Sequence, residues 1–183
     1  MRLVETTEVM DHRGVQLTTP RLTLDPLKSE DADEMVEVLS DERLYAFIGG
    51  QPPTLNQLRA RYRRLAVGGS ADGSEEWHNW IVRRRSDRRA VGTVQATVVL
   101  QRRRADIAWV IGLPWQGQAF ASEAAQALVR WLEARGVTTI TAHVHPKNQA
   151  SAIVASRAGL SPTEEIDDGE QVWRRSRLGT GED

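Results

Sequence analysis

The chain has 183 residues, 40% of them hydrophobic and 27% charged, and its 24 basic and 25 acidic groups leave a net charge of −1. That balance describes one globular domain over residues 1–183, long enough to bury a core and without the global basicity that draws nucleic acid. No apolar run approaches the roughly 20 residues that span a bilayer, and zero Cys excludes disulfides, thiolate metal ligands and a cysteine acyl-enzyme.

Residues 1–15 lack the contiguous apolar core of a secretory signal and, like residues 178–183, read as a flexible terminus, so a cytoplasmic location is expected. Residues 17–27 alternate apolar and polar, predicting a first strand with Leu22 and Leu24 on one face. Ser29 is placed to cap a helix whose stripe is Met35, Val38 and Leu39, and Thr54 caps a second over residues 54–67, with Leu55, Leu58, Tyr62 and Leu65 recurring every three or four positions. Residues 68–74, GGSADGS, have the composition of a flexible loop.

Three strands are then predicted in a meander: residues 77–85, residues 90–100 after the turn SDRR, and residues 105–112. A helix over residues 119–135 carries Phe120, Ala124, Ala127, Leu128, Trp131 and Leu132 on one side and stops at Gly136, a residue that readily adopts left-handed geometry. A strand over residues 137–145, a helix over 148–159, and two strands joined at Asp168 and Gly169 complete the order. The fold class is α/β, a mixed sheet with helices on its faces.

The segment PWQGQAFASEAAQALVRWLEARG passes from a glycine loop straight into the long helix. The first N–H groups of such a helix lack intrahelical partners and the helix dipole adds positive charge there, so the junction suits a pyrophosphate. GxGxxG, the Walker A loop, GxSxG and HExxH are all absent. Arg83, Arg84, Arg85, Arg88 and Arg89, and again Arg102, Arg103 and Arg104, form basic clusters. Without interleaved aromatics, these read as solvated turns in preference to a nucleic-acid surface. His143 and His145 share one strand face, but no third ligand accompanies them and no metal site is expected.

Five segments, TTPRLTLDPLKSEDADEM, VGTVQA, ADIAWVI, WQGQAFASEA and HPKNQASAIVASRAGL, appear in an order and spacing that resemble the GNAT superfamily of acetyl-CoA-dependent N-acetyltransferases. The branch resembled is that of ribosomal-protein N-terminal acetyltransferases. The resemblance implies a central, mostly antiparallel sheet splayed between its fourth and fifth strands, with acetyl-CoA as co-substrate and no metal. It places the pyrophosphate on Gln116, Gly117, Gln118, Ala119, Phe120 and Ala121, with Ser122 following. Ala119 stands where the family usually has Gly, so the loop must tolerate a Cβ or hold the cofactor farther out. It also implies that Trp109, Val110 and Ile111 present backbone groups to the pantetheine arm and thioester, and that Asn148 and Ser151 lie along that arm. Asn148 reads equally well as a helix cap.

Many family members carry Tyr four residues after Ser151 as the acid that protonates the thiolate; this chain has Ala155. Asp106 matches the position of the family's general base, and His78 is the alternative, an imidazole titrating near neutrality. The expected reaction is direct transfer of acetyl from acetyl-CoA to a primary amine in a ternary complex. An α-amine is easier to deprotonate than a lysine by roughly 3.3 kcal/mol, which favours an α-amine or small-molecule amine at so sparsely equipped a site. Tyr45, Phe47 and acids near residues 167–170 are expected to receive it. Two further readings stay open, a CoA-binding protein without turnover and an arginine-patch nucleic-acid binder. Hydropathy and net charge predict neither a membrane nor a nucleic-acid partner, and oligomeric state, a homodimer included, is undetermined.

Overall fold

In a computed structural model of the protein, residues 14–176 are described. The terminal segments expected to be flexible fall almost wholly outside the described residues; within them, the Val15 carbonyl accepts a 2.8 Å hydrogen bond from Trp80 Nε1.

Among the described residues, eight strands form one sheet and five helices accompany it; the strands are β1 (Leu17–Thr18), β2 (Leu22–Pro26), β3 (Glu75–Arg84), β4 (Ala90–Val99), β5 (Arg104–Ile111), β6 (Thr139–Val144), β7 (Ser161–Asp167) and β8 (Glu170–Ser176). Their spatial order is β1-β2-β3-β4-β5-β6-β8-β7. The helices are α1 (Ala32–Val38), α2 (Tyr45–Ile48), α3 (Leu55–Leu65), α4 (Phe120–Ala134) and α5 (Gln149–Arg157).

Two local expectations are corrected, and a third gains detail. The single first strand is broken into β1 and β2, because Pro20 has no N–H to donate and the chain turns there; the turn closes with the Thr19 amide donating to the Leu22 carbonyl at 2.9 Å. Ser29 does not cap α1. It sits inside a short 3-10 turn, and the Asp31 carboxylate instead reaches back to accept from the Lys28 amide at 2.8 Å. The loop at residues 68–74 is organised around Asp72, whose carboxylate accepts from Ser70 Oγ, Ser74 Oγ and the Ser74 amide and is pulled down to about 2 by those bonds. Thr54 caps α3 as expected, in a capping box with Gln57.

The sheet separates two cores. On one face, Leu22, Leu24, Trp80, Val82 and Val94 pack with Phe120, Leu128 and Leu132 of α4. On the other, Ile81 and Ala90 pack with Met35 and Val38 of α1 and Leu58 and Tyr62 of α3. Alternation along β3 divides Trp80 from Ile81, and the 3.6-residue period of α4 gathers its apolar stripe, as the sequence predicts. Gly136, at φ +82, ends that helix.

One strand contact controls the shape of the molecule. β5 and β6 are joined through α4, and a crossover of this kind makes strands parallel. Their register contains only Arg104↔Thr139, Ala105↔Ile140 and Asp106↔Thr141. Past Asp106, β5 stays with β4 up to Gly92↔Ile111 while β6 follows β8 to Val144↔Gln171, so the strands part. This is the predicted split, with β1 and β2 together counting as the first strand.

Candidate active site

The split leaves residues 107–111 of β5 without a partner on the β6 side, so their backbone groups on that side line an opening. Gly92 permits the tight β4–β5 approach at its far end: a Cβ there would lie 2.1 Å from the Val110 carbonyl oxygen. The opening is a cavity of about 430 Å³. Trp109, Val110, Ile111, Gln116, Gly117, Ala119, Phe120, Ala121, Ser122, Asn148 and Ser151 all line it, so the structure gathers nearly every residue that the sequence proposed for the cofactor. Gln118 does not line it, and Gln116 turns its amide inward, donating from Nε2 to the Ile111 carbonyl at 2.9 Å.

At the cavity's end the loop alternates in hand, with Gly117 at φ +75 and Ala119 at φ +62, ψ 15. Such alternation collects backbone N–H groups into an anion-binding concavity, and α4 begins at the next residue. The Glu123 amide is the first to bond back, reaching the Ala119 carbonyl at 3.0 Å, so the amides of Phe120, Ala121 and Ser122 have no acceptor within the helix. Ala119 therefore holds the left-handed conformation itself, at a cost of about 1–2 kcal/mol that glycine would avoid. The amides, the dipole and the unpaired strand edge fit a pyrophosphate and the amide-bearing arm attached to it.

Glu123 places a carboxylate in the first turn of this helix, where it would oppose an anion. Arg21 answers it: its amide donates to Oε1 at 2.9 Å, its Nε to Oε2 at 2.6 Å, and its Nη1 to the Gln118 carbonyl at 3.0 Å. Burial pushes the Glu123 carboxyl up, but the hydrogen bonds from Thr19 and Arg21 outweigh it and hold the group below the usual carboxylate range.

A second cavity of about 290 Å³ adjoins the first, sharing Phe47, Ile48, Trp109, Asn148 and Ser151. Asp106 lines it beside Gln95 and Thr97 of β4, His143 of β6, His145 and Glu170. Asp106 is the last residue of the paired β5–β6 segment; its Oδ1 accepts from Thr141 Oγ1 and from Arg104 Nη2, the latter at 3.1 Å. The acid is thus both exposed to the cavity and paired with an arginine. Asn148 also combines two positions, capping α5 through Oδ1, which accepts from the Ser151 amide at 3.1 Å, while facing both cavities.

His78 is set apart from these groups. It is 4% exposed, with its ring 4.8 Å from Trp131 of α4 and 5.9 Å from Trp80, and its Nε2 is 2.9 Å from Glu76 Oε2. Strand alternation turns it to the α4 face, away from both cavities, so the structure does not bring it to Asp106 and Ser151. Ala155 is fully buried in the core. Tyr45 spends its hydroxyl on the Leu39 carbonyl at 2.9 Å, whereas its neighbour Phe47 lies in both cavities, as expected.

Sequence reasoning named Phe47 but missed its neighbours in the wall of the larger cavity, Ile48 of α2 and Arg43 and Leu44 in the turn before it, and the far-side residues Ile153 and Arg157. A four-residue helix has no period to read. The first arginine cluster is largely used within the protein: Arg83 meets Asp25, Asp31 and Glu34, and Arg85 Nη1 donates to the Thr19 and Pro20 carbonyls. Among the described residues, no group of three or more His, Asp or Glu side chains could hold a metal ion, and no helix is long and apolar enough to cross a membrane.

A splayed mixed sheet with an amide-rich loop and helix end at the split is the arrangement that the sequence resemblance implies. Residues 21–161 match the family model described as an acetyltransferase (GNAT) domain. The chain belongs to that family and is an acyltransferase. Among solved structures, a putative ribosomal-protein-serine acetyltransferase from Vibrio cholerae is 18% identical, with 90% of this chain and 99% of that one covered at a TM-score of 0.70. RimL, a ribosomal L7/L12 α-N-protein acetyltransferase in complex with coenzyme A, is 16% identical over 88% and 98% at 0.75. The aminoglycoside acetyltransferase AAC(6')-Ib in complex with coenzyme A is 19% identical over 85% and 95% at 0.70. A search of curated proteins returns no match.

Proposed function

We propose that the protein acetylates a primary amine, either the α-amine of a peptide or protein or a small-molecule amine, by direct attack on acetyl-CoA in a ternary complex, and that it belongs with the N-terminal acetyltransferase branch. The observation that carries this reading is the junction of the two cavities at Trp109, Asn148 and Ser151. One cavity ends in the amides of α4 and the other in a carboxylate, so a thioester held in the first meets an amine held in the second. Acetyl-CoA supplies an activated acetyl group. The α4 amides hold its pyrophosphate, and the free edge of β5 orients its arm and offers an N–H where negative charge develops on the carbonyl oxygen.

Asp106 serves as the general base of this reading, drawing a proton from the nitrogen through water. Ser151 lies where the departing sulfur is expected and can donate its hydroxyl proton; a thiol of pKa near 8.5 also leaves tolerably as thiolate. Phe47 and Ile48 cover the junction with apolar surface, and Glu170 adds negative charge that suits a cationic acceptor.

A free-thiol assay of CoA release over a panel of amines tests this: serine- and alanine-initiated peptides, lysine peptides blocked at the N-terminus, and an aminoglycoside. Turnover with α-amine or small amine acceptors and far less with blocked lysine peptides is expected. Tight acetyl-CoA binding without turnover on any amine would overturn the reading and leave a CoA-binding protein.

A further inference from the structure

An amine enters as an ammonium and leaves as an amide, so its nitrogen sheds two protons, and Asp106 accounts for one. The acceptor cavity holds a second candidate acceptor unused so far. His143 lines this cavity on β6, two residues beyond Thr141 and therefore on the same face as Thr141, which bonds to Asp106. Its Nδ1 is 3.4 Å from Asp167 Oδ2 at the end of β7. A carboxylate beside Nδ1 favours the tautomer with the proton on that nitrogen, which leaves the Nε2 lone pair free.

His145, the other imidazole in the cavity, has the opposite arrangement. Its Nδ1 accepts from the Lys147 amide at 3.1 Å, so the proton of the neutral ring sits on Nε2 and that ring acts as a donor. Of the two histidines, His143 is therefore the one set to receive a proton.

We propose that His143, positioned by Asp167, is the first proton acceptor of the reaction, a deduction that rests on the amine-acetylation reading above. His143 Nε2 takes a proton from the bound ammonium and becomes imidazolium, stabilised by Asp167. The neutral amine then forms the N–C bond with the thioester carbonyl carbon, the C–S bond breaks with its electron pair passing to sulfur, and the second nitrogen proton leaves through water to Asp106. His143 and Asp106 both return their protons to solvent. An imidazole is the better acceptor for the first step, since its ordinary pKa lies much nearer an amine's than a carboxylate's does. The charged and titratable groups around His143 are Asp167 on β7, Glu170 and Arg174 on β8, Asp106 and Arg104 on β5, and His145 at the end of its own strand. Arg174 is paired with Glu165 and Arg104 with Asp106, so both arginines already have carboxylate partners of their own.

The test has two parts. Imidazole ¹⁵N shifts of the labelled protein, with the His143 signals assigned from His143→Gln, report the tautomer without any turnover. The Nδ1–H form with unprotonated Nε2 above neutral pH is expected, moving toward Nε2–H in Asp167→Asn; an Nε2–H ring in the parent protein would overturn the proposal. With the best amine of the panel, His143→Gln should lose about 10²-fold in kcat/KM and the acidic limb of its pH profile, while imidazole in solution partly restores His143→Ala. Asp106→Asn should slow the reaction yet keep that limb. Parent-like kcat/KM and an unchanged acidic limb in a folded His143→Gln would also overturn it. A panel without any turnover would overturn the amine reading and this proposal with it, whereas turnover by a parent protein with an Nε2–H ring would overturn this proposal alone.

Discussion

Arg21 and Glu123, 102 residues apart in sequence, meet through a 2.6 Å contact from Nε to Oε2 and a 2.9 Å bond from the Arg21 amide to Oε1. The arginine also stacks over Phe120, its guanidinium carbon 4.8 Å from the ring centroid, and holds the Gln118 carbonyl. It thereby cancels the one acid in the first turn of the anion-binding helix while bracing the loop that precedes it. Arg21→Ala is expected to weaken acetyl-CoA binding roughly fivefold, the effect of about 1 kcal/mol from a partly exposed ion pair. Titration calorimetry measures it, and adding Glu123→Gln should recover part of the loss, because the unneutralised charge is then gone.

The same pair makes a prediction about acid. Glu123 titrates below an ordinary carboxyl, so the folded state favours its ionised form. Its contribution to stability is therefore complete above the unfolded carboxyl pKa of about 4.3 and disappears as pH falls through the lower folded value. Denaturant midpoints followed from pH 6 down to pH 3 should fall less steeply in Glu123→Gln than in the parent. Parallel curves would refute the coupling.

Ala119 occupies a left-handed position that the loop demands, at φ +62. Ala119→Gly removes the steric cost but adds freedom to the unfolded chain, for a net gain of about 0.5–1 kcal/mol. Calorimetry should show a Tm higher by about 2 °C. Ala119→Val should lower it, since a β-branched side chain tolerates that geometry least.

Gly92 is constrained by contact, not by φ. A Cβ would meet the Val110 carbonyl oxygen at 2.1 Å and the Ile111 Cδ1 at 2.7 Å, and backbone cannot yield as a flexible side chain does. Gly92→Ala is expected to cost about 2 kcal/mol by forcing β4 from β5. It should also weaken acetyl-CoA binding, because the displaced residues line the cofactor cavity. A variant with parent-like stability and affinity would show that the strands can part freely there.

Much of the fold could be read locally. The alternation in residues 77–85 and 90–100, the stripe from Phe120 to Leu132 and the Thr54 cap each depend on residues within a few positions of one another, and each agrees with the structure. The break at Pro20 was legible in principle, since proline is a poor interior strand residue, but the alternation around it masked the turn. Ser29 does not cap α1 because a 3-10 turn forms there first, closed by the Asp31 carboxylate on the Lys28 amide, and α1 then begins after Asp31 with no side-chain cap.

For the site, the loop and helix end at residues 116–122 are contiguous and carry their chemistry in order, so sequence alone indicated which segment would present free amides at a helix end. It could not choose between Asp106 and His78 as base, because strand alternation fixes which residues share a face but not which face adjoins a cavity. In the structure α4 covers the His78 face and β6 leaves β5 after Asp106, so of the two it is Asp106 that lines a cavity. The neutralisation of Glu123 by Arg21, the approach of Asp167 to His143 and the α2 wall with Phe47 also arise from packing between distant segments. Sequence determined what short-range backbone geometry controls; the tertiary structure decided which of the available acids and imidazoles line the cavities, because burial and distance exist only once the sheet has closed on its helices.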